Sequence, residues 1–452
     1  MRSRPSALLA GATCLAWLAL ATGYAGAAAP SAIDLGGEPV PGGLGSTTPD
    51  RPTELDPGLW ADTIGGSATK NTHHFTYERR MRDSTVHVGV IGAPTGDSAD
   101  TLEVKVGVLA EDGSLQSCES DSASSGYPVP QAVLGAAVAV GPSSADSTDR
   151  TPCLSAGTLQ FEVGRGVGSN TSELPVAIKI VEEAPVDDRS GLPPVSEDVS
   201  FPVPETGSAR DEPGGTSFAD APALDPSPEG VTVSTTLAQG TEQLWRVGVG
   251  WGQQLAVRAV APQVSVPEGE TFSDVQVRVR LVDPRRTVFS EINEDAEDES
   301  DDGSYGDDGE LDLVAGTRPL QYLERFENHL PVVPGDYWVA LAAQPADPGT
   351  DREPVDVPVE LTVAVTGDPG DAPGYQGAVL SADNGTSVDG YSPDKPFLVA
   401  EGTFAAVASG NPVVGDDEDG GWLNGRRGAG LGLAAVSVAC LAGGVLRLRA
   451  RR

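Results

Sequence analysis

The sequence predicts an all-β protein, with two tandem antiparallel β-sandwich domains followed by one C-terminal transmembrane helix. Three observations support this fold class. Apolar residues alternate with polar ones through the middle of the chain, the alternating segments occur twice in the same order, and a long uncharged stretch lies near the C-terminus. Together they divide the chain into an export signal, two folded copies, connecting segments and an anchor.

The alternation has the period of a β-strand. In "TLEVKVGVL" (101–109) and "DVQVRVRLV" (274–282), every second residue is apolar and the residues between are mostly polar. A period of two is typical of strands that bury one face. Clusters of Pro, Gly, Asp and Ser separate the strands at about every tenth residue, as in all-β domains. These segments predict sheets packed face to face.

The alternating segments form an internal duplication. The matched pairs are "GSTTPDRPTELDP" (45–57) with "GTSFADAPALDP" (215–226), 101–109 with 274–282, "AGTLQFEV" (156–163) with "PGDYWVAL" (334–341), and "PVAIKIV" (175–181) with "PVELTVAV" (358–365). Their order is kept and their separation grows steadily, which is expected of a repeat with loop insertions. We therefore predict one sandwich at 45–182 and a second at 215–366, each long enough for its own core.

A family resemblance refines the fold. The stretch "VSTTLAQGTEQLWRVGVGWGQQLAVRAVAP" (233–262) and the Gly-x-Tyr strand in "PGDYWVAL" resemble bacterial pre-peptidase C-terminal modules, which are jelly-roll-like sandwiches. Similar paired modules accompany membrane-anchored surface proteins of actinobacteria, and the arginine-rich, lysine-poor composition is similar to that of such organisms. The resemblance covers 215–366 and reaches 45–182 only through the duplication, where Leu159 replaces the tyrosine. It implies binding or spacing rather than catalysis.

Both ends of the chain indicate export and membrane anchoring. Residues 1–27 have the basic start, apolar run and small residues of a cleaved signal peptide. Residues 428–446 carry no charge, and as a helix they would span roughly 28 Å, close to the ~30 Å of a bilayer core. Four arginines should then stop translocation and stay cytoplasmic: Arg447, Arg449, Arg451 and Arg452. The alternative is a buried apolar helix of a soluble domain.

The remaining segments are predicted to connect these parts. They are an N-terminal linker (28–44), a Pro- and acid-rich linker (183–214), a stalk rich in Gly, Pro and Asp (367–427) and the arginine tail (447–452). A short strand around "PFLVAEGTFAAV" (396–407) interrupts the stalk. Segments of this composition have little to bury and are expected to be extended.

The charge of the exported part restricts its partners. The whole chain has a formal charge of −37, and removing the six arginines of the signal and tail leaves 23 basic against 66 acidic residues, or −43. Such a charge repels nucleic acid and anionic lipid. The predicted partners are the membrane, through the C-terminal helix, and a protein or glycan at the bacterial envelope.

Two cysteines remain in the predicted ectodomain, since Cys14 falls in the signal and Cys440 in the anchor. An even pair in an oxidising compartment predicts a disulfide between Cys118 and Cys153, worth about 4 kcal/mol on the chain-entropy model. The alternative is two free thiols.

Two groups of residues are candidates for ligand binding. The acidic stretch "NEDAEDESDDGSYGDDGELD" (293–312) suggests a calcium site, with candidate ligands Asp301, Asp302, Asp307, Asp308 and Glu310. It lacks the EF-hand spacing, so a solvated acidic loop is the alternative. Trp251, beside two glycines, and Trp338, with the parity opposite to its strand's core residues, are candidates for an exposed aromatic face that stacks on a glycan.

Catalytic motifs are absent from the sequence. It has four histidines and lacks the His-Glu-x-x-His, Gly-x-Ser-x-Gly and Cys-x-x-Cys patterns. We therefore predict no catalytic residues, no cofactor other than a candidate Ca²⁺, and a non-catalytic cell-surface protein that acts in recognition or support. The alternatives are a passive envelope spacer and a surface hydrolase with an acidic active site.

Overall fold

The structure is a computed structural model. It describes residues 33–66, 71–94, 99–110, 113–125, 133–142, 151–166, 170–195, 199–264, 275–289, 291–293, 299–306, 309–327, 332–345 and 354–408. Nearly all of their regular secondary structure is strand, arranged in several sheets, as the sequence predicts.

The first half of the described chain forms two sheets. Its elements are β1 (Glu38–Pro39), β2 (Thr53–Glu54), β3 (Gly58–Ile64), β4 (Thr72–Glu78), β5 (Thr85–Gly92), β6 (Thr101–Leu109), β7 (Leu115–Ser124), β8 (Leu134–Val140), α1 (Thr151–Ser155), β9 (Thr158–Gly164) and β10 (Leu174–Glu183). The sheet orders are β1-β3-β10-β5-β8 and β2-β4-β9-β6-β7. Val88 and Ile178 of one sheet share a core with Phe75 and Phe161 of the other. The two sheets therefore pack face to face as the first sandwich.

The second half repeats this arrangement. Its elements are β11 (Val186–Asp188), β12 (Arg210–Asp211), β13 (Ala223–Leu224), β14 (Val231–Ala238), β15 (Glu242–Val249), β16 (Gln254–Ala261), β17 (Val275–Val282), β18 (Val288–Phe289), β19 (Asp302–Tyr305), β20 (Leu311–Gly316), α2 (Glu324–Glu327), β21 (Gly335–Ala343) and β22 (Asp356–Thr366). The sheets are β12-β14-β22-β16-β20 and β13-β15-β21-β17, with β18 and β19 both paired to β17. Val257 and Leu361 meet Val279 and Tyr337 in the core of this second sandwich.

The strand orders of the two sandwiches correspond element by element. All four segment pairs matched in the sequence fall on corresponding strands: β2 with β13, β6 with β17, β9 with β21, and β10 with β22. The register corresponds as well, because Lys179, Gly89 and Ala137 lie side by side in one sheet and Thr362, Arg258 and Val314 occupy the same places in the other.

One backbone amide on the edge strand, β8 in the first sandwich and β20 in the second, has a hydrogen-bond acceptor in both copies. The amide of Ala137 donates to the Asp121 carboxylate at 2.9 Å, and that of Val314 donates to the carbonyl of Ser300 at 2.7 Å. Buried edges require such partners, since an unpaired backbone N–H is costly.

The two sandwiches pack on each other through one sheet each. We call these the proximal sheets, β1-β3-β10-β5-β8 and β13-β15-β21-β17, and the other two the distal sheets. The two proximal sheets do not correspond to each other in the repeat, because the proximal sheet of the first sandwich is the counterpart of the distal sheet of the second. The two copies therefore stack head to tail. An apolar cluster fills the contact, here called the seam, and includes Leu59, Ile91 and Ala177 of the first sandwich and Leu244 and Trp338 of the second.

The C-terminal segment of the described chain folds back onto both sandwiches. It contains β23 (Gly374–Tyr375), β24 (Phe397–Ala400) and β25 (Thr403–Ala405). β23 pairs with β11, and β24 pairs with the end of β10 at Glu182 and Glu183. Phe397 joins the core of the second sandwich, whereas Phe404 packs in a separate cluster with Met81.

The predicted stalk over 367–427 is therefore wrong for its first part, because residues 374–408 are packed. The predicted extended linkers are also partly wrong. Val199 and Phe201 of 183–214 cover Ala256 and Val314 on the distal sheet of the second sandwich, and Ile33 of 28–44 lies in the seam cluster. A few apolar residues in each segment suffice, because the sheets offer them apolar faces that would otherwise meet water.

The predicted anchor and arginine tail, 428–452, lie outside the described residues, as does the signal peptide 1–27. Within the described ranges, no helix has both the length and the hydropathy needed to cross a bilayer.

Candidate functional site

Two glycines of the first sandwich let the backbones of the two sandwiches approach closely in the seam. Gly89 and Gly135 of the first sandwich lie under the turn at 283–287 of the second. A Cβ at Gly89 would lie 2.7 Å from the carbonyl carbon of Arg285 and nearer still to its oxygen, and one at Gly135 would lie 2.7 Å from the amide nitrogen of Val288. The backbones approach so closely that only glycine fits at either position.

The turn that fills this gap carries two arginines. Asp283 holds it, because its Oδ1 accepts the amides of Arg285 and Thr287 at 2.8 and 2.9 Å, and its Oδ2 accepts Nε of Arg285 at 2.7 Å. Arg286 is fully buried and has a left-handed φ of 78°, which non-glycine residues seldom adopt. Its guanidinium carbon lies 3.8 Å from the ring centre of Phe218 and 4.5 Å from that of Trp338.

Lys179 projects into the same region from β10. It is 1% exposed. Burial, and after it the positive charge of Arg286, lowers the pKa of Lys179 to about 7. Burial likewise lowers the pKa of Arg286 to about 9, against the attraction of Asp283 and Asp336. The seam therefore contains two buried basic side chains, Lys179 and Arg286, in a largely apolar setting.

A second polar cluster closes the seam where the C-terminal segment arrives. Glu183 accepts hydrogen bonds from Nη1 of Arg325 at 2.7 Å and from the hydroxyl of Tyr375 at 2.9 Å, and Nε2 of His87 lies 2.8 Å from it. Burial acts to raise the pKa of Glu183, but Arg325 and His87 outweigh it and hold the pKa at about 2. Three other chain segments thus meet the ionised carboxylate that β10 supplies.

The neighbouring Glu182 points the other way, into the first sandwich. Its oxygens accept the amides of Arg80 and Met81 at 2.9 and 2.8 Å, and it also bonds Tyr77 and Ser84. Burial, with the charge of Glu182 second, raises the pKa of Tyr77 well above its ordinary value. Both glutamates are closed to solvent. Their chemistry therefore holds segments together and does not reach a dissolved substrate.

The acidic residues proposed for calcium are engaged elsewhere. Asp302 pairs with Arg278 at 3.0 Å and Asp301 pairs with Arg280. Glu310 is exposed, and Asp307 and Asp308 lie outside the described residues. The described ranges contain no group of three or more His, Cys, Asp or Glu placed to hold a metal. Asp301 and Asp302 are therefore not gathered around a cation site.

The two candidate tryptophans are buried. Trp338 is 0% exposed, so its predicted exposure is wrong. Its parity does place it on the face opposite to the core, but that face packs in the seam, where Nε1 donates to the carbonyl of Phe218 at 3.1 Å. Trp251 is 8% exposed and packs edge-on against Tyr322. Neither ring offers a face for stacking on a glycan.

The predicted disulfide is confirmed. Cys118 on β7 is bonded to Cys153 in α1, with a Cα–Cα distance of 5.8 Å. Both cysteines belong to the core of the first sandwich. The bond ties the outermost strand of the distal sheet to the helix that precedes β9.

The sequence analysis missed the seam, although a signal for it exists. β21 reads "GDYWVALAA" and is buried on both faces, whereas its counterpart β9 reads "TLQFEVG" and alternates. A strand that is apolar on both sides indicates burial on both sides. Likewise, β10 ("LPVAIKIVEE") is buried on both faces, whereas the first half of its counterpart β22 ("DVPVELTVAVT") alternates between exposed and buried residues.

Within the described residues, the outer face of one sheet of the first sandwich is partly exposed. On its distal sheet His74, Glu162 and Lys105 are direct neighbours across three strands, with Nδ1 of His74 3.4 Å from the Glu162 carboxylate. Gln160 lies beside them, and all four are partly exposed. The equivalent face of the second sandwich is the one buried in the seam, where Trp338 occupies the position of Gln160.

Comparisons with known proteins do not assign a family. No family model matches the chain, and no curated protein matches it. Similar solved structures include cowpea mosaic virus top component empty particles, with 10% identity over 73% of this chain and 95% of that chain and a TM-score of 0.19. Another is PNGF-II, with 10% identity over 68% of this chain and 65% of that chain and a TM-score of 0.21.

A third is the N-terminal CBM22-1–CBM22-2 tandem domain from Paenibacillus barcinonensis Xyn10C, with 11% identity over 69% of this chain and 92% of that chain and a TM-score of 0.19. TM-scores this low do not establish a shared fold.

Proposed function

We propose that this chain is a non-catalytic, membrane-anchored cell-surface protein that acts in recognition or support at a bacterial envelope. The observation that carries the proposal is that certain buried polar side chains bond to one another or to the backbone and do not face solvent. Glu182, Glu183, His87 and Arg325, the kinds of side chain that enzymes use, are closed to solvent and bond to one another or to the backbone between segments. Such groups stabilise a rigid body.

The anchoring rests on the sequence. An export signal at 1–27 and an uncharged stretch at 428–446 followed by arginines would leave the sandwiches outside the cell. The jelly-roll character of the two sandwiches, and their resemblance to pre-peptidase C-terminal modules, belong to the same proposal. In the sequence, residues 409–427 separate the described part of the chain from the proposed anchor.

Fractionation of cells tests the anchoring. The full chain is expected in the membrane fraction, and a chain that ends at Arg427 is expected in the medium. A control that replaces 428–446 with an unrelated uncharged apolar segment of equal length and keeps the arginines should return the protein to the membrane. Retention of the truncated chain in the membrane would contradict the proposed anchor.

The open distal face favours recognition over a passive spacer. The row of His74, Glu162 and Lys105 presents donors and acceptors at the spacing of a pleated sheet. Such a surface suits a polar partner, a protein or a glycan, that hydrogen-bonds along it. The acidic exterior would add attraction for a basic partner.

Crosslinking on intact cells distinguishes recognition from spacing. The wild-type protein is expected to give a defined adduct, and the double variant Gln160→Ala, Glu162→Ala is expected to lose it. Glu360→Ala is the control, because Glu360 is an exposed residue on the distal sheet of the second sandwich. An adduct that survives in the double variant, or no adduct at all, would count against a recognition face here.

A further inference from the structure

His87 is a buried titratable residue with one unused ring nitrogen. It lies on β5 and is 1% exposed. Its Nε2 is 2.8 Å from Oε2 of Glu183, and since that carboxylate is ionised, Nε2 carries the ring proton and donates a hydrogen bond. Nδ1 then has only a lone pair, and it has no hydrogen-bond partner among the described residues. The site therefore suits a neutral imidazole.

A second proton on this ring would be costly. It would make Nδ1 a buried donor without an acceptor, and it would add a positive charge to a site that already contains Arg325 and Arg285. Glu183 does not balance the new charge on its own, because it already pairs with Arg325 at 2.7 Å. Burial outweighs the hydrogen bond and the charge of Glu183, and it lowers the pKa of His87 below its ordinary value.

The other charged and titratable groups around His87 keep their charge state near neutral pH. The pKa of Glu183 is about 2, and burial raises the pKa of Tyr322 to about 12 and that of Tyr375 well above its ordinary value. Arginine stays protonated in proteins. At this site, His87 is therefore the described group that changes charge between about pH 5 and pH 8. The groups considered are Glu183 of β10, Arg285 of the 283–287 turn, Tyr322 and Arg325 at α2, and Tyr375 of β23, whereas the β8 residue paired with His87 is Ala139.

Glu183 is also where the C-terminal segment is attached. Tyr375 donates to Oε1 of Glu183 at 2.9 Å, and β24 pairs with β10 at two residues, Glu182 and Glu183. β23 likewise pairs with β11 at two residues, whereas β10 pairs with β5 along eight. A segment held by so short a ladder opens locally at a lower free energy than the sandwiches.

We propose that protonation of His87 releases the C-terminal segment from Glu183, so that the protein opens at this place in acid. The proton comes from solvent and adds to Nδ1, and no other bond changes. Opening lets water reach the ring and solvate its charge, while both sandwich cores stay folded. Neutral His87 favours the closed form above about pH 6.5, and this preference is lost as the pH falls further. The inference does not rest on the proposed function.

The size of the effect follows from linkage. A ring exposed by opening titrates near pH 6.5, and the closed ring stays neutral to lower pH. Lowering the pH from 7.5 to 5.5 should therefore raise the opening equilibrium by up to about tenfold. Lys179 and Glu242, with pKa values of about 7 and about 8, titrate elsewhere in the seam, so the test compares variants that keep both.

Hydrogen exchange of the full chain in detergent tests the proposal, with rates corrected for the pH dependence of the chemical step. In the wild type, amides of β23 and β24 are expected to exchange up to about tenfold faster at pH 5.5 than at pH 7.5, and those of β16 are not. His87→Gln should remove this difference, because its amide can donate to Glu183 but takes up no proton. His74→Gln is the matched control, since His74 is a partly exposed histidine beside Glu162, and it should keep the difference.

Equal corrected exchange of β23 and β24 in the wild type at the two pH values would overturn the proposal. An acid effect of unchanged size in His87→Gln would overturn it too, because another group would then be responsible. If His87→Gln does not fold, the full pH profile of the wild type decides. Exchange that is constant above about pH 6.5 and rises about tenfold per pH unit below it supports the proposal, and a rise that begins only near pH 4.5, where carboxylates titrate, contradicts it.

Discussion

Adding one methyl group at Gly89 should loosen the seam without touching either core. Gly89 lies in the middle of β5, and its added Cβ would sit 2.7 Å from the carbonyl carbon of Arg285, closer than real Cβ contacts allow. Backbone cannot rotate away as a side chain can, so the 283–287 turn must shift off the proximal sheet. Gly89→Ala is therefore expected near the upper end of the usual 1–3 kcal/mol for overpacking.

Urea and thermal unfolding of the full chain measure this loss. A change of about 3 kcal/mol corresponds to a fall in Tm of roughly 5 °C for a body of this size. Loosening should also appear as faster proteolysis between the sandwiches under native conditions. The matched control is Gly248→Ala, since Gly248 lies in β15 and an added Cβ there meets nothing within 4 Å.

The control should match the wild type or gain up to about 1 kcal/mol, because alanine costs less backbone entropy than glycine. If Gly89→Ala unfolds at the same denaturant concentration as Gly248→Ala, the turn does not lie against β5 and the description of the seam is refuted.

Further changes test individual contacts. Glu183→Gln should cost about 3–5 kcal/mol in urea unfolding at pH 7, because it leaves the buried Arg325 without its carboxylate. Since the folded pKa of Glu183 is about 2, below its ordinary value of 4.5, the wild-type contribution should persist above about pH 4.5 and fade as the pH falls toward 2. Glu242 should give the opposite pH dependence of stability. Burial raises its pKa to about 8, so the folded state keeps a proton that the unfolded state has lost, and stability should fall as the pH rises from 4.5 to 8. Glu242→Gln should remove this effect in thermal melts over a pH series. The double variant Cys118→Ser, Cys153→Ser should lose about 4 kcal/mol relative to the oxidised wild type, and wild type in reductant should behave like the variant. Millimolar Ca²⁺ or chelator should leave Tm unchanged, because Asp301 and Asp302 are ion-paired and Glu310 is exposed. A rise in Tm with Ca²⁺ would reinstate a site in the 293–312 stretch.

Most of the strands can be predicted from the local alternation of apolar and polar residues in the sequence. The alternation in 101–109 and 274–282 identifies β6 and β17, and the repeated segments fall on strands at corresponding places in the sheets. The disulfide follows from the count of cysteines and the predicted oxidising compartment. These features depend on spacing along the chain, which a single sequence displays directly.

Features that depend on what covers a surface are harder to predict. Trp338 has the parity of an outward residue, and nothing local says that a second sandwich lies on that face. Phe201 and Phe397 stand in segments whose average composition is that of an extended linker, yet each is buried. Average composition fails here because one or two aromatic side chains are enough to hold a short segment on a sheet.

Protease treatment of intact cells is the most direct test of the central claim, that two sandwiches and the C-terminal segment form one rigid body held outside the membrane. The account predicts that a nonspecific protease releases one large folded fragment containing both sandwiches and the segment through Ala408, and that the anchor stays with the cells. Release of the two sandwiches as separate fragments would contradict the seam, and complete protection from the protease would contradict the placement outside the cell.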